Sequence, residues 1–125
     1  MAYAIKLSDD RKYIVIMVEG FVDNDMAMEY TIESQRLGKK EGISRYLVDL
    51  TQSRNVQSVG LNFEFIDRDL RSTDEVDIRG RVALLVSPED HSHDFIETLS
   101  INRGINVRLF RNRADAVAHL LKERS

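Results

Sequence analysis

The sequence predicts an α/β fold, a single domain over residues 1–125 with a mixed, mostly parallel sheet of about five strands and about four helices. Three apolar runs, near 13–20, 45–51 and 81–87, are typical of strands that are buried on both faces. Segments with helical periodicity separate these runs, and such alternation indicates parallel strands covered by helices. A chain of 125 residues has the usual length of one domain.

The first part of the chain predicts a hairpin followed by a helix. A short strand over 4–7 is expected to pair antiparallel with the strand near 13–20, because the turn-forming residues 8–11 connect them. The acidic and amide side chains at 23–25 offer N-caps for a helix, and Gly42 is expected to end it.

The remaining strands differ in their apolar content. Those near 45–51 and 81–87 are predicted to be central, whereas the arginines of 106–111 place that strand at or near an edge. The elements after Gly42 are, in order, a strand at 45–51, a helix near 58–70, a strand at 81–87, a helix that starts at Ser87-Pro88 and ends at 102–104, a strand at 106–111 and a helix capped by Asn112.

Composition limits the classes of partner and compartment. The net charge of −3 does not favour nucleic acid as a partner. The absence of cysteine excludes disulfides and thiolate chemistry. No apolar run approaches the ~20 residues of a membrane span, and the first residues do not resemble a secretory signal. A cytoplasmic location is therefore expected.

Three parts of the sequence carry a resemblance to a known family: Leu47-Val48-Asp49-Leu50, Gln57-Ser58-Val59-Gly60-Leu61, and a more distinctive tail over 82–88, 102–111 and Ala116. Through them nearly the whole chain resembles the STAS-like superfamily, which includes bacterial anti-sigma-factor antagonists and the cytoplasmic ends of sulfate transporters. More closely, it resembles the SpoIIAA-like (STAS/Sec14-like) branch of small bacterial proteins. The resemblance implies the fold, and for this branch it implies no settled activity.

The phosphorylation site of the antagonists is altered in this sequence. In those proteins the helix after the central strand starts with Asp-Ser-Ser-Gly-Leu, and a partner kinase phosphorylates the serine before the glycine. Here Val59 holds that position, Gln57 stands where the aspartate would be, and Ser58 is a neighbour of the matching position. The sequence therefore predicts no phosphorylation switch of that type.

The predicted helix near 58–70 carries apolar residues on two faces. One face would pack on the core, while Leu61 and Phe65 lie near the opposite face as i, i+4 neighbours. The interaction surface predicted on this helix consists of Ser58, Leu61, Phe65, Arg68 and Asp69.

Either the charged connection 71–80 or another chain would have to cover Leu61 and Phe65. Val76 and Ile78 are the only apolar residues of that connection, so the sequence favours another chain. Two-fold self-association is the commonest form of oligomer, and a homodimer is predicted. In the antagonists that this chain resembles, the same helix start faces a protein partner. These observations favour a non-enzymatic regulatory or protein-interaction module.

An alternative is a carrier or sensor of a small apolar or lipid-like ligand, a reading that the Sec14-like resemblance supports. Ligands of parallel sheets bind outside the carboxyl ends of the strands. The ligand corner predicted on this basis consists of Gly20, Phe21, Thr51, Gln52, Ser53 and Ser87.

Residues that could carry catalysis or hold a metal are few. Asp49, at the expected end of a strand, is predicted to hydrogen-bond a loop backbone and not to act as a general base. The segment 90–94 contains two histidines, but residues two apart on a helix point in nearly opposite directions, so no metal is expected there. His119 is expected to be structural. The sequence thus predicts neither an enzyme nor a cofactor.

Overall fold

The computed structural model describes residues 3–55, 80–91, 94, 97–98, 101 and 106–122. These residues form one five-stranded sheet with a helix on each face. The elements are β1 (Tyr3–Leu7), β2 (Ile14–Val22), α1 (Asn24–Glu41), β3 (Arg45–Asn55), β4 (Arg81–Leu85), β5 (Val107–Phe110) and α2 (Arg113–Leu121).

The strands lie side by side in chain order, β1-β2-β3-β4-β5. β1 pairs antiparallel with β2, and the other three pairs are parallel. The mixed, mostly parallel sheet and the antiparallel hairpin predicted from the sequence are confirmed. So is the edge position of β5. Glu97 protects this edge, since its carboxylate accepts a hydrogen bond from the backbone N–H of Leu109 at 2.5 Å.

Among the described residues, two helices, α1 and α2, have defined bounds. The sequence predicted about four helices, and this number is corrected to two for the described part of the chain. The predicted helix near 58–70 lies outside the described residues. Of the helix predicted to follow Ser87-Pro88, the described residues from Asp94 to Ile101 are helical, while 88–89 form a turn. The predicted helix start at Ser87-Pro88 is therefore wrong, because residues 87–91 are not helical.

The larger core cluster lies between α1 and one face of the sheet. α1 begins at Asp23, whose carboxylate accepts from Met26 N at 2.8 Å, and ends at Gly42, which has a φ of 70°. Both ends agree with the sequence prediction. The buried residues of this cluster are Tyr3, Ile14, Ile16, Val18, Val22, Ala27, Tyr30, Tyr46, Val48, Leu50, Leu84, Val86 and Val107.

The smaller core cluster lies on the opposite face of the sheet, beneath α2. Its buried residues are Leu47, Ala83, Leu85, Ala116 and Leu120.

β2 is less buried than its apolar run predicted. Ile14, Ile16 and Val18 are almost inaccessible, but Met17 is 37% exposed and Phe21 is 75% exposed. Among the described elements, α2 contacts β3, β4 and β5 on that face, and β2 lies beyond them. Met17 is therefore only partly covered.

Candidate functional site at the carboxyl ends of the strands

A β-bulge in β3 organises the carboxyl end of the sheet. Met17 of β2 pairs with Asp49, but Glu19 pairs with Gln52, so β3 contains one extra residue at this point. Asp49 supports the bulge, because its Oδ1 accepts from Thr51 N at 3.0 Å and from Thr51 Oγ1 at 2.6 Å. A backbone N–H that leaves the strand ladder thus gains a carboxylate partner.

The second carboxylate oxygen of Asp49 binds α2. Arg113 Nη2 lies 2.8 Å from Asp49 Oδ2, and the side chain of Asp49 is 16% exposed. The predicted backbone-bonding role of Asp49 is confirmed. Its predicted position at a strand end is wrong, because β3 continues to Asn55. Polar residues 51–55 extend the strand because β2 pairs with them up to Val22.

The hydroxyl groups of the predicted ligand corner bond to backbone carbonyls. Ser87 Oγ donates to Thr51 O at 3.0 Å, which connects the end of β4 to the bulge of β3. Ser53 Oγ donates to Leu50 O at 3.1 Å. In the described part of the chain, the hydroxyls of Ser53 and Ser87 contact no histidine or carboxylate that would activate them as nucleophiles. The hydroxyl of Thr51 contacts the carboxylate of Asp49, within the bulge.

The structure brings the predicted corner residues together along the β2–β3 and β3–β4 boundaries. Gly20 pairs with Ser53, Phe21 pairs with Arg54, and exposed Gln52 lies opposite Glu19. Gly20 has a φ of 81°, which a side chain would strain. The next residue, Phe21, is the most exposed large apolar residue among those described. The corner is thus a polar strand end bordered by an exposed aromatic ring.

The predicted interaction residues Ser58, Leu61, Phe65, Arg68 and Asp69 lie outside the described residues. The described chain ends before them at Asn55, which pairs with Val22. The segment that carries them follows Asn55, and Asn55 lies beside Val22, the neighbour of Phe21.

The loop after β4 is held by Arg111. Its guanidinium donates to Pro88 O at 3.3 Å, to Asp90 O at 3.0 Å and to Asp94 Oδ1 at 3.2 Å, and it lies 3.0 Å from His91 Nδ1. His91 Nδ1 also lies 2.9 Å from Asp94 Oδ2. Burial acts to raise the pKa of Asp94, but hydrogen bonds and charges from His91 and Arg111 outweigh it and lower that pKa.

Through these contacts with Arg111, the segment 90–94 helps to hold the loop after β4 in place. The cationic guanidinium of Arg111 stands beside His91, which opposes a second cation at the same ring nitrogen. Within the described residues, no three histidine, aspartate or glutamate side chains are grouped to hold a metal ion. His93 lies outside the described residues.

His119 packs against the core on α2. Its ring lies 5.2 Å from the ring of Phe110, and its Nε2 is buried without a hydrogen-bond partner. Burial lowers the pKa of His119, and the positive charges of Arg81, Arg108 and Lys122 lower it further. A general base must lie within hydrogen-bond reach of the proton that it abstracts, and the buried Nε2 of His119 has no hydrogen-bond partner.

Sequence reasoning missed two contacts that fix α2. One is the Arg113–Asp49 ion pair. The other is Arg81, at the start of β4, whose Nη1 donates to the carbonyls of His119, Leu120 and Lys122 at 2.9, 3.3 and 2.6 Å. No sequence signal indicated either contact, because both join residues far apart in the chain.

No protein-family model matches the chain, and no curated protein matches it. The chain is similar to the crystal structure of an uncharacterized protein of the DUF3478 family from Shewanella loihica PV-4, which has a SpoIIAA-like fold. That likeness has a TM-score of 0.53 and 21% identity, and it covers 95% of this chain and 92% of the other. The SpoIIAA-like fold predicted from the sequence is confirmed.

Two further structures match more distantly. The unphosphorylated anti-sigma factor antagonist SpoIIAA is 16% identical with a TM-score of 0.49, over 94% of this chain and 96% of the other. An anti-sigma-factor antagonist STAS domain from Rhodobacter sphaeroides is 15% identical with a TM-score of 0.34, over 91% of this chain and 88% of the other. The fold assignment rests on the first structure alone. No described helix is long and apolar enough to cross a bilayer.

Proposed function

We propose that this chain, with its SpoIIAA-like fold, is a non-enzymatic regulatory or protein-interaction module that acts as a homodimer. The observation that carries the proposal is the 75% exposure of Phe21 at the carboxyl end of β2. A Phe side chain is worth roughly 1.5–3 kcal/mol when it is buried, so its exposure leaves a sizeable contribution for a partner.

The polar groups near Phe21 support a binding role over a catalytic one. Asp49 is engaged by Thr51 and Arg113, and Ser87 bonds to a backbone carbonyl. Catalysis requires a nucleophile, a base and a stabilising group that converge on one point. The described residues at this end of the sheet present no such set, and their hydrogen bonds rigidify the strand ends instead.

Chain connectivity supports a joint surface of Phe21 with the predicted interaction residues. Asn55 lies beside Val22, the neighbour of Phe21. Leu61 follows Asn55 by six positions, which limits their distance to about 20 Å even for a fully extended chain. We propose that Leu61 and Phe65, bordered by Ser58, Arg68 and Asp69, extend the apolar surface that begins at Phe21.

The carrier of a small apolar ligand is the alternative, since Phe21 also belongs to the predicted ligand corner. Native mass spectrometry of the purified protein separates the two functions in one measurement. The proposal predicts a mass of two chains without an added ligand. A single chain that retains an apolar molecule would instead support the carrier, and a single bare chain would contradict the proposed homodimer. The cytoplasmic location predicted from the sequence stays a prediction.

A further inference from the structure

Four cationic side chains gather at the opposite end of the sheet, where its parallel strands begin. Arg45 and Arg81 are direct register partners of β3 and β4. Alternation along β5 places Arg108 on the same face as Phe110, which packs against the cluster beneath α2. Lys122 follows the last residue of α2. We call Arg45, Arg81, Arg108 and Lys122 the four-cation cluster.

In the described part of the chain, most of the positive charges in the four-cation cluster have no ion-pair partner. Register partners on neighbouring strands lie about 4.8 Å apart, and like charges in that position repel each other. The carbonyl groups at the end of α2 compensate Arg81. In the described part of the chain, the side chains of Arg45, Arg108 and Lys122 form no ion pair.

Two carboxylates at this end of the sheet are engaged locally. Asp10 accepts from Ser8 Oγ at 2.6 Å and from Lys12 N at 3.1 Å, both within the β1–β2 turn. Glu41 pairs with Arg11 at 3.2 Å. Neither carboxylate contacts the four-cation cluster, and no ion pair among the described residues joins a carboxylate to it, on a chain whose net charge is −3.

His119 gives an independent indication of this positive potential. The charges that lower its pKa, after burial, are those of Arg81, Arg108 and Lys122, three members of the cluster. The side chains of all three therefore lie close enough to one ring to act on it together.

We propose that the four-cation cluster is a docking surface for a short, carboxylate-rich segment of a partner protein. Guanidinium groups present paired N–H donors that match a carboxylate, and Arg45 and Arg108 hold such groups on either side of Arg81. A long polyanion such as DNA would extend beyond the cluster over a chain whose net charge is −3, which opposes it. This surface lies at the other end of the sheet from Phe21, so the inference goes beyond the proposed homodimer.

The test uses a decaglutamate peptide, titrated at low salt into the full-length ¹⁵N-labelled protein. The expected amide shifts are concentrated at Arg45, Arg81, Arg108 and Lys122, and added salt weakens binding. Bound carboxylates offset the surrounding cations, so the NMR-measured pKa of His119 rises on binding. Absence of binding, or shifts confined to other residues, would overturn the proposal.

Matched variants separate a local site from a general charge effect. Arg45→Gln with Arg108→Gln is expected to weaken binding about tenfold or more, as two charge-assisted contacts are lost. Lys39→Gln with Lys40→Gln removes the same charge from α1, on the opposite face, and is expected to leave binding unchanged. Equal weakening in both double variants would contradict the proposal.

Two further measurements complete the test. The variant with Arg45→Lys and Arg108→Lys keeps the charges but removes the paired donors, so it should bind decaglutamate more weakly than the wild type and more tightly than the glutamine variant, and it keeps the test usable if the glutamine variant folds poorly. A DNA duplex that carries the same charge as decaglutamate is titrated in the same way, to compare nucleic acid with the acidic peptide. If the duplex bound more tightly than decaglutamate through the same residues, the assignment to an acidic protein segment would be wrong.

Discussion

Arg113 Nη2 lies 2.8 Å from Asp49 Oδ2, although the two residues are 64 positions apart in the sequence. This ion pair fixes the start of α2 above the bulge of β3. Arg81 fixes the other end of α2 through three carbonyl groups. The helix is thus attached to the sheet at both ends by arginines.

The first prediction concerns Asp49. Asp49→Ala removes the ion pair and both bonds to Thr51, and leaves a bulge N–H without its partner, so we expect a loss of about 1–3 kcal/mol in unfolding free energy. Arg113→Gln removes only a pair in which Arg113 is 53% exposed, and should cost under about 1 kcal/mol. Urea unfolding measures both, with Arg11→Gln as a surface-pair control. Equal losses for the two variants would contradict this role of Asp49.

Arg81 is predicted to hold the last turn of α2. Arg81→Met keeps the length of the side chain but removes the donors to three carbonyls, so α2 should open more readily than α1. Amide hydrogen exchange measures this difference. The amide of Leu120 should exchange about tenfold faster or more in the variant, while that of Tyr30 in α1 stays unchanged. Uniform acceleration in both helices would show that Arg81 acts on the whole fold.

Gly38 allows a test of whether replacing a helical glycine by alanine raises or lowers the unfolding free energy. Gly to Ala within a helix usually stabilises by up to about 1 kcal/mol. Here an added Cβ would collide with Tyr46 Oη and lie 2.6 Å from Ile43 O, so Gly38→Ala should destabilise the protein. Tyr46→Phe should relieve part of that loss, because it removes the nearest atom. A more stable Gly38→Ala protein in urea unfolding would show that α1 packs less closely on β3.

His119 predicts a dependence of stability on pH. Its pKa in the folded protein is lowered from 6.5, so the unfolded chain binds the proton more readily. Stability should therefore fall as the pH decreases through 6.5 toward the lower, folded pKa. His119→Leu should remove this component. The contribution of Asp94, whose pKa is also lowered, would be lost only at a more acidic pH, below its ordinary value of 3.8. An unchanged pH profile in the leucine variant would contradict the prediction.

The main elements could be predicted because apolar periodicity specifies them. The runs that became β2, β3 and β4 and the caps at Asp23 and Gly42 are local signals, and all of them appear in the structure. The length of β3 was not predictable in this way. Residues 51–55 are polar and resemble a loop, but pairing with β2 makes them a strand.

The functional residues were harder to predict than the fold. The exposure of Phe21 depends on which strands α2 covers, and the apolar run at 13–20, which ends before Phe21, carries no signal of it. The four-cation cluster depends on strand order and register, which bring together residues from β3, β4, β5 and the end of α2. Neither property can be obtained from local periodicity.

Sedimentation velocity of the wild type and of three variants tests the proposed homodimer most directly. The wild type and Ile101→Ser, a control at another exposed apolar residue that is 40% accessible, should sediment as dimers. Phe21→Ser, and Leu61→Asp combined with Phe65→Ser, should give folded monomers, with circular dichroism confirming the fold. A monomeric wild type would contradict the account. So would unfolding of the Leu61 and Phe65 variant, because those side chains would then belong to the core of a single chain.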